Sequence, residues 1–220
     1  MDVAQFAYAE DVRVAGVDGT KGGWVAIVLE DSRFASDLVL QPLEATFEQL
    51  ADVDVVGIDV PIGFGPRKAD AKARAYLKGA ASTEFTTPSR DVLEASFRGG
   101  LGVSAQAHAL GPRILHVTDL ARHDSRFHEV HPEVSFRAMN DGRPLGNRKK
   151  SAGGALERLR LLGRHGIELN GLSFAASASL NDVLDASAAA WSADRIARSQ
   201  ARTLPDPPES VAGLAVAIWY

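Results

Sequence analysis

Residues 12–18 read Val-Arg-Val-Ala-Gly-Val-Asp, and residues 53–60 read Val-Asp-Val-Val-Gly-Ile-Asp-Val. In the first stretch Val12, Val14, Gly16 and Asp18 alternate with Arg13, Ala15 and Val17, the period of a strand that ends at an acid. The second is a nearly continuous apolar run, as in a strand buried on both faces. It too ends at an acid, Asp59, followed by Pro61 and Gly63. An acid that closes an apolar strand is costly to desolvate unless a cation, a metal or several N–H donors meet it. Open α/β sheets place their ligands at the carboxyl ends of such strands.

The neighbouring segments complete a sheet around these two. Asp18-Gly19-Thr20-Lys21-Gly22-Gly23 reads as a glycine-bearing turn, with strands predicted at Trp24–Leu29 and Phe34–Leu40, giving an antiparallel meander. A short helix is predicted over Pro42–Ala51, with Leu43, Phe47 and Leu50 on one face, and a basic helix over Arg67–Gly79. Ser82–Ser89 reads as a polar, proline-bearing loop. Leu101–His123 has helical spacing interrupted at Gly111-Pro112, so two helices or one kinked helix are expected. Arg126–His131 reads as a strand stopped by Pro132, residues 140–150 as a turn-rich basic loop, and Ser151–His165 as a helix. Asn181–Arg202 is the longest predicted helix and is rich in alanine. Three prolines break Thr203–Ser210, and Val211–Tyr220 reads as an apolar strand or edge segment. Three consecutive strands, then helices alternating with strands, predict an α/β fold, a mixed β-sheet flanked by α-helices. With acids at two strand ends and on a late helix, this is the layout of a ribonuclease-H-like core. The expected organisation is a flexible segment over residues 1–11 and one domain over 12–220 with helical insertions.

Composition narrows the function classes. The chain has 220 residues, 45% hydrophobic and 24% charged, which excludes disorder, collagen and coiled coil. It has no cysteine, so disulfides, thiol nucleophiles and thiolate zinc sites are excluded, and the reducing cytosol is the expected location. The opening MDVAQFAYAED is acidic and lacks the features of a signal peptide, and no stretch is apolar for the length a spanning helix needs. A net charge of −4 argues against a generally polyanion-coating surface, so any nucleic-acid contact is expected to be local.

The acids form the candidate constellation. Asp182 and Asp185 sit at i and i+3 near the start of the alanine-rich helix, hence on one face. Glu129 and Glu133 bracket His131-Pro132. Singly, each has a plain structural reading: Asp18 as a turn acid, Asp182 and Asp185 as partners of the helix dipole, His131 as a hydrogen-bonded structural residue. Together, Asp18, Asp59, Asp182 and Asp185 suggest a hard-metal site for Mg²⁺ or Mn²⁺. Two such ions can clamp the attacking and leaving oxygens of a phosphodiester displacement. Basic residues supply the counterpart. Between Arg143 and Arg164 seven of them face one acid, Glu157, and Lys149 and Lys150 directly precede a predicted helix N-terminus, a natural anion site. Lys21 lies in the glycine-bearing turn, whose amides can also cradle phosphate.

The motifs GVDGTKGGWVAIV, GIDVPIGF, FHEVHPEVSF, NDVLDASAAAW and the terminal GLAVAIWY occur in that order over residues 14–220. In this the chain resembles the domain-of-unknown-function 429 family, regarded as predicted ribonuclease-H-like nucleases. The helix motif Leu-Asp-Ala-Ser-Ala-Ala-Ala-Trp is also similar to the last helix of Holliday-junction resolvases, where an aspartate completes the metal site. That similarity implies Asp185 as a ligand with Asp182 beside it, Asp18 as the first-strand acid and Asp59 as the fourth-strand acid. Glu129, His131 and Glu133 match the family's own Glu-Val-His-Pro-Glu motif and stand as further catalytic candidates. The expectation is a metal-dependent nuclease with DNA or RNA as substrate. Two other readings remain open. The Asp18–Gly23 hairpin also resembles the first phosphate hairpin of actin-like and sugar-kinase-like phosphotransferases, although no second copy of it occurs. A non-catalytic binding module on the same fold is the other.

Overall fold

The computed structural model of the chain describes residues 11–41, 47–78, 86–95, 108–173 and 178–220. The expected flexible segment over 1–11 falls almost wholly outside these residues, as do the first half of the 42–51 helix, the first half of the 82–89 loop and residues 101–107. Strands β1 (Arg13–Thr20), β2 (Gly23–Glu30) and β3 (Arg33–Leu40) form the predicted meander. β4 (Val55–Ile58) and β5 (Phe127–Glu129) then add parallel to β1, giving the order β3-β2-β1-β4-β5. The sheet is mixed, with helices on both faces.

Side-chain alternation decides what each face receives. Val25, Ile27 and Leu29 of β2 join one apolar cluster, while Trp24, Ala26 and Val28 join the other. β2 is therefore buried on both faces, and burying each of its large side chains is worth roughly 1.5–3 kcal/mol. On the first face pack α4 (Pro132–Met139), α5 (Ala152–Arg164) and α6 (Leu180–Ala197). On the second pack α3 (Gly111–His123) and a 3₁₀ turn at Phe47–Leu50. The helices α1 (Lys68–Leu77) and α2 (Arg90–Glu94) lie in the long β4–β5 connection.

α6 lies on bare backbone. A Cβ added at Gly16 would sit 1.9 Å from the Ala190 amide nitrogen, and one at Gly57 would sit 2.6 Å from the Ala189 carbonyl. Only glycine on the strands and alanine on the helix permit this approach, so Gly16, Gly57 and the Ala186–Ala190 run form one packing seam.

Four elements depart from the sequence-based expectation. Pro132 begins a helix as well as ending β5: α4 starts at that residue, capped by His131. Gly111-Pro112 likewise opens α3 and does not kink a helix interior. α6 ends at Ala197, because the Arg202 amide turns away to the Tyr220 carbonyl at 2.7 Å. The three prolines do not break the last segment. β6 (Thr203–Val211) pairs with β7 (Leu214–Trp219), and the ladder skips from Leu204 to Glu209, so Pro205, Pro207 and Pro208 occupy an irregularity that asks for no amide. No helix among the described residues is long and apolar enough to cross a membrane.

Candidate metal centre

Strand parity brings the acids together. Val14 and Val55 pack in the cluster beneath α6, so Gly16 and Asp18 on β1, and Gly57 and Asp59 following β4, face the same side. The parallel register sets Val17 beside Ile58, and the Asp59 amide donates to the Val17 carbonyl at 2.9 Å. The two carboxylates thus leave adjacent strands at one level. Asp185 lies one helical turn before Ala189, which touches Gly57, so the seam itself delivers the third acid. Oxygens of Asp18, Asp59 and Asp185 all lie within 4.8 Å of one another. Three acidic residues so placed can bind a metal ion.

The cluster is short of protein donors. Asp18 Oδ1 accepts the Gly19 amide at 2.7 Å, while the Asp59 carboxylate has no donor among the described residues. Asp185 Oδ1 is buried with no hydrogen-bond partner among the described residues. Asp185 Oδ2 accepts from the Lys149 ammonium at 2.5 Å. Burial, reinforced by Asp59, Asp185 and Asp182, raises Asp18 well above the ordinary carboxylate range. Burial and then Asp185 push Asp59 up to about 8, with Lys149 opposing. Asp185 is raised by burial and held back by Lys149. Asp18 and Asp59 are half-buried and line a cleft of about 200 Å³.

The other sequence-predicted residues take different places. Asp182 stands apart from the three-acid group: it caps α6, exchanging hydrogen bonds with Ser179 in a capping box. Glu129 lines the cleft but is held by Arg67, whose Nη1 and Nη2 reach its oxygens at 2.6 and 2.9 Å, and it also accepts the Ile62 amide at 2.7 Å. Arg67 binds Asp70 as well, and Asp70 accepts the Thr87 amide at 2.8 Å. That buried network fixes the loop after Asp59. Glu133 accepts from Arg158 at 2.6 Å and lies 4.0 Å from Lys149. His131 caps α4, its Nδ1 accepting the Glu133 amide at 3.2 Å. Burial lowers it to about 4, so the ring is neutral near pH 7 with its proton on Nε2. Lys150 and Lys21 are exposed, Lys21 at the tip of the β1–β2 turn.

Lys149 was expected as a surface phosphate ligand, yet it occupies the acid cluster. Glu157 accepts the Gly146 and Asn147 amides at 2.8 and 2.9 Å, and Ser151 caps α5, so the intervening loop carries Lys149 inward. Sequence reasoning missed Arg113 and Arg67 as cleft residues. Arg113 lies over the Trp24 ring, 5.4 Å from its centroid, donates to the Thr20 carbonyl, and touches Gly19 so closely that a Cβ there would meet its Nε at 2.8 Å. Its partners are on the first hairpin, too far along the chain for local spacing to reveal.

Fold and site together define an α/β protein with a three-carboxylate cluster at the carboxyl ends of its central strands. The chain belongs to the family described as protein of unknown function (DUF429), whose model matches residues 16–210. Neither a curated protein nor a solved structure matches it.

Proposed function

We propose that this protein is a divalent-metal-dependent nuclease that hydrolyses phosphodiester bonds in DNA or RNA, with Asp18, Asp59 and Asp185 as ligands of Mg²⁺ or Mn²⁺. The observation that carries this reading is Asp185 Oδ1, a buried carboxylate oxygen without a partner, converging on two further carboxylates within 4.8 Å. An all-oxygen donor set suits these hard cations. A mixed sheet ordered β3-β2-β1-β4-β5, with acids after β1 and β4 and on the last long helix, also supports a ribonuclease-H-like core. Bound Mg²⁺ or Mn²⁺ would polarise the phosphoryl oxygens and lower the pKa of the attacking water.

The protein's own groups then have defined tasks. Asp18 and Asp59 give up protons, and Asp185 its Lys149 partner, to hold the cation. Arg113, which lines the same cleft as Lys149, contributes positive charge toward a substrate phosphate. Neutral His131 is a hydrogen-bond donor at Nε2 and not a base. The Arg67–Glu129–Asp70 network keeps the Asp59 loop in place as charge shifts.

The test is cleavage of single-stranded, double-stranded and branched DNA and of RNA, with each metal, by the wild type, Asp18→Asn and Asp185→Asn. Metal-dependent cleavage by the wild type and its loss in both variants, with folded spectra unchanged, is expected. Equal rates in all three proteins would remove these acids from the site.

A further inference from the structure

A second cavity shares a wall with the cleft. It opens between the end of α1, α4, the 144–149 loop and α5, and Glu133 and Lys149 line both spaces. Four cations, Arg137, Arg148, Lys149 and Arg158, border it against one acid, Glu133. That acid is already engaged by Arg158.

Arg137 is the informative residue. It is 8% exposed, and its guanidinium donates from Nε to the Gly142 carbonyl and from Nη1 to the Leu77 carbonyl, both at 2.8 Å. It also sits 5.5 Å from the Tyr76 ring centroid. Among the described residues no carboxylate pairs with it, and its Nη2 has no hydrogen-bond partner. A buried guanidinium held by two carbonyls and a ring face is costly without an anion nearby. Arg158 beside it is 2% exposed and paired with Glu133, and its Nε is buried without a hydrogen-bond partner among the described residues. Arg148 is exposed at the rim and has no carboxylate partner among the described residues.

We infer that this cavity seats a phosphate group, with Arg137 as its buried anchor and Arg148 closing it from the rim. The seat does not depend on the acids. That it holds the phosphate next to the scissile one rests on the nuclease reading above, and the shared Glu133–Lys149 wall sets the two phosphates side by side. A terminal phosphomonoester and a backbone phosphodiester present the same oxygens, and a guanidinium fork suits both.

The experiment uses the whole protein in EDTA, so that no divalent ion takes part, and measures binding calorimetrically. The probes are inorganic phosphate, a nucleoside 5′-monophosphate and a dinucleoside monophosphate lacking a terminal phosphate. The wild type is expected to bind phosphate, and Arg137→Gln and Arg148→Gln are each expected to weaken it about tenfold, the loss of one charge-assisted contact. Tighter binding of the mononucleotide than of the dinucleoside marks a seat for chain ends, and comparable binding marks a backbone seat. Arg148→Gln alters only an exposed side chain, so the test stands even if Arg137→Gln fails to fold. No binding of any probe, or binding that the folded variants retain in full, overturns the inference. Phosphate binding without any metal-dependent cleavage would sink the nuclease reading and leave the seat standing.

Discussion

Lys149 is the residue on which the site turns. Its ammonium pairs with Asp185 Oδ2 and so competes with a cation for that carboxylate. A metal must therefore displace it, and Lys149→Met should tighten Mn²⁺ binding roughly fivefold, equivalent to about 1 kcal/mol of ion pairing no longer displaced. Titration calorimetry reads this directly, and weaker binding in the variant would make Lys149 a support of the metal and not its competitor. The acids also give stability a definite pH dependence. Asp59 titrates at about 8 in the folded protein, against roughly 3.9 when unfolded, so the folded state holds extra protons between those values. Stability must fall as pH rises through that window. His131 acts oppositely, since a folded value of about 4 against roughly 6.5 unfolded adds stability only as pH rises to about 6.5. Between about pH 6.5 and 8 the acids act alone, and melting in EDTA should decline, less so in Asp59→Asn. A level profile would show that neither burial nor Asp185 raises Asp59. Asp18 and Asp59 were legible in the sequence because each ends an apolar strand. The inward place of Lys149 was not, because Glu157 and Ser151 set it through contacts that spacing does not encode.

At the level of elements, the seam between α6 and the strands carries the geometry. Gly16→Ala places a methyl group 1.9 Å from the Ala190 amide nitrogen and 2.1 Å from the Ala186 carbonyl, so the helix must lift. The expected cost is about 1–3 kcal/mol, as for other overpacked cores. The sharper expectation is loss of the Mn²⁺-induced rise in melting temperature, because Asp185 moves with the helix. A destabilised variant that still responds fully to Mn²⁺ would separate the seam from the site. Strands β1, β2 and β4 and helices α5 and α6 could be read from hydrophobic period alone. Helix α4 could not, because Pro132 reads as a strand stop, although its missing amide equally suits the first turn of a helix. Strand β6 was hidden by Pro205, Pro207 and Pro208, which are tolerated because the ladder to β7 skips them.

For the molecule as a whole, metal binding should be visible as stability. A ligand at a hundred times its dissociation constant adds about 2.7 kcal/mol. For a domain of this size that corresponds to a rise of about 5–10 °C in melting temperature. Differential scanning calorimetry with Mn²⁺ against EDTA checks this, and no shift at saturating Mn²⁺ would remove the metal centre. The order of the chain has a further consequence. Two acids reside in the first third of the sequence, whereas the third arrives on α6, close to its end. A nascent polypeptide that has not yet extruded residues 180–197 leaves Gly16 and Gly57 uncovered and lacks Asp185. A three-acid site laid out in this way can assemble only after α6 has left the ribosome and docked on the strands.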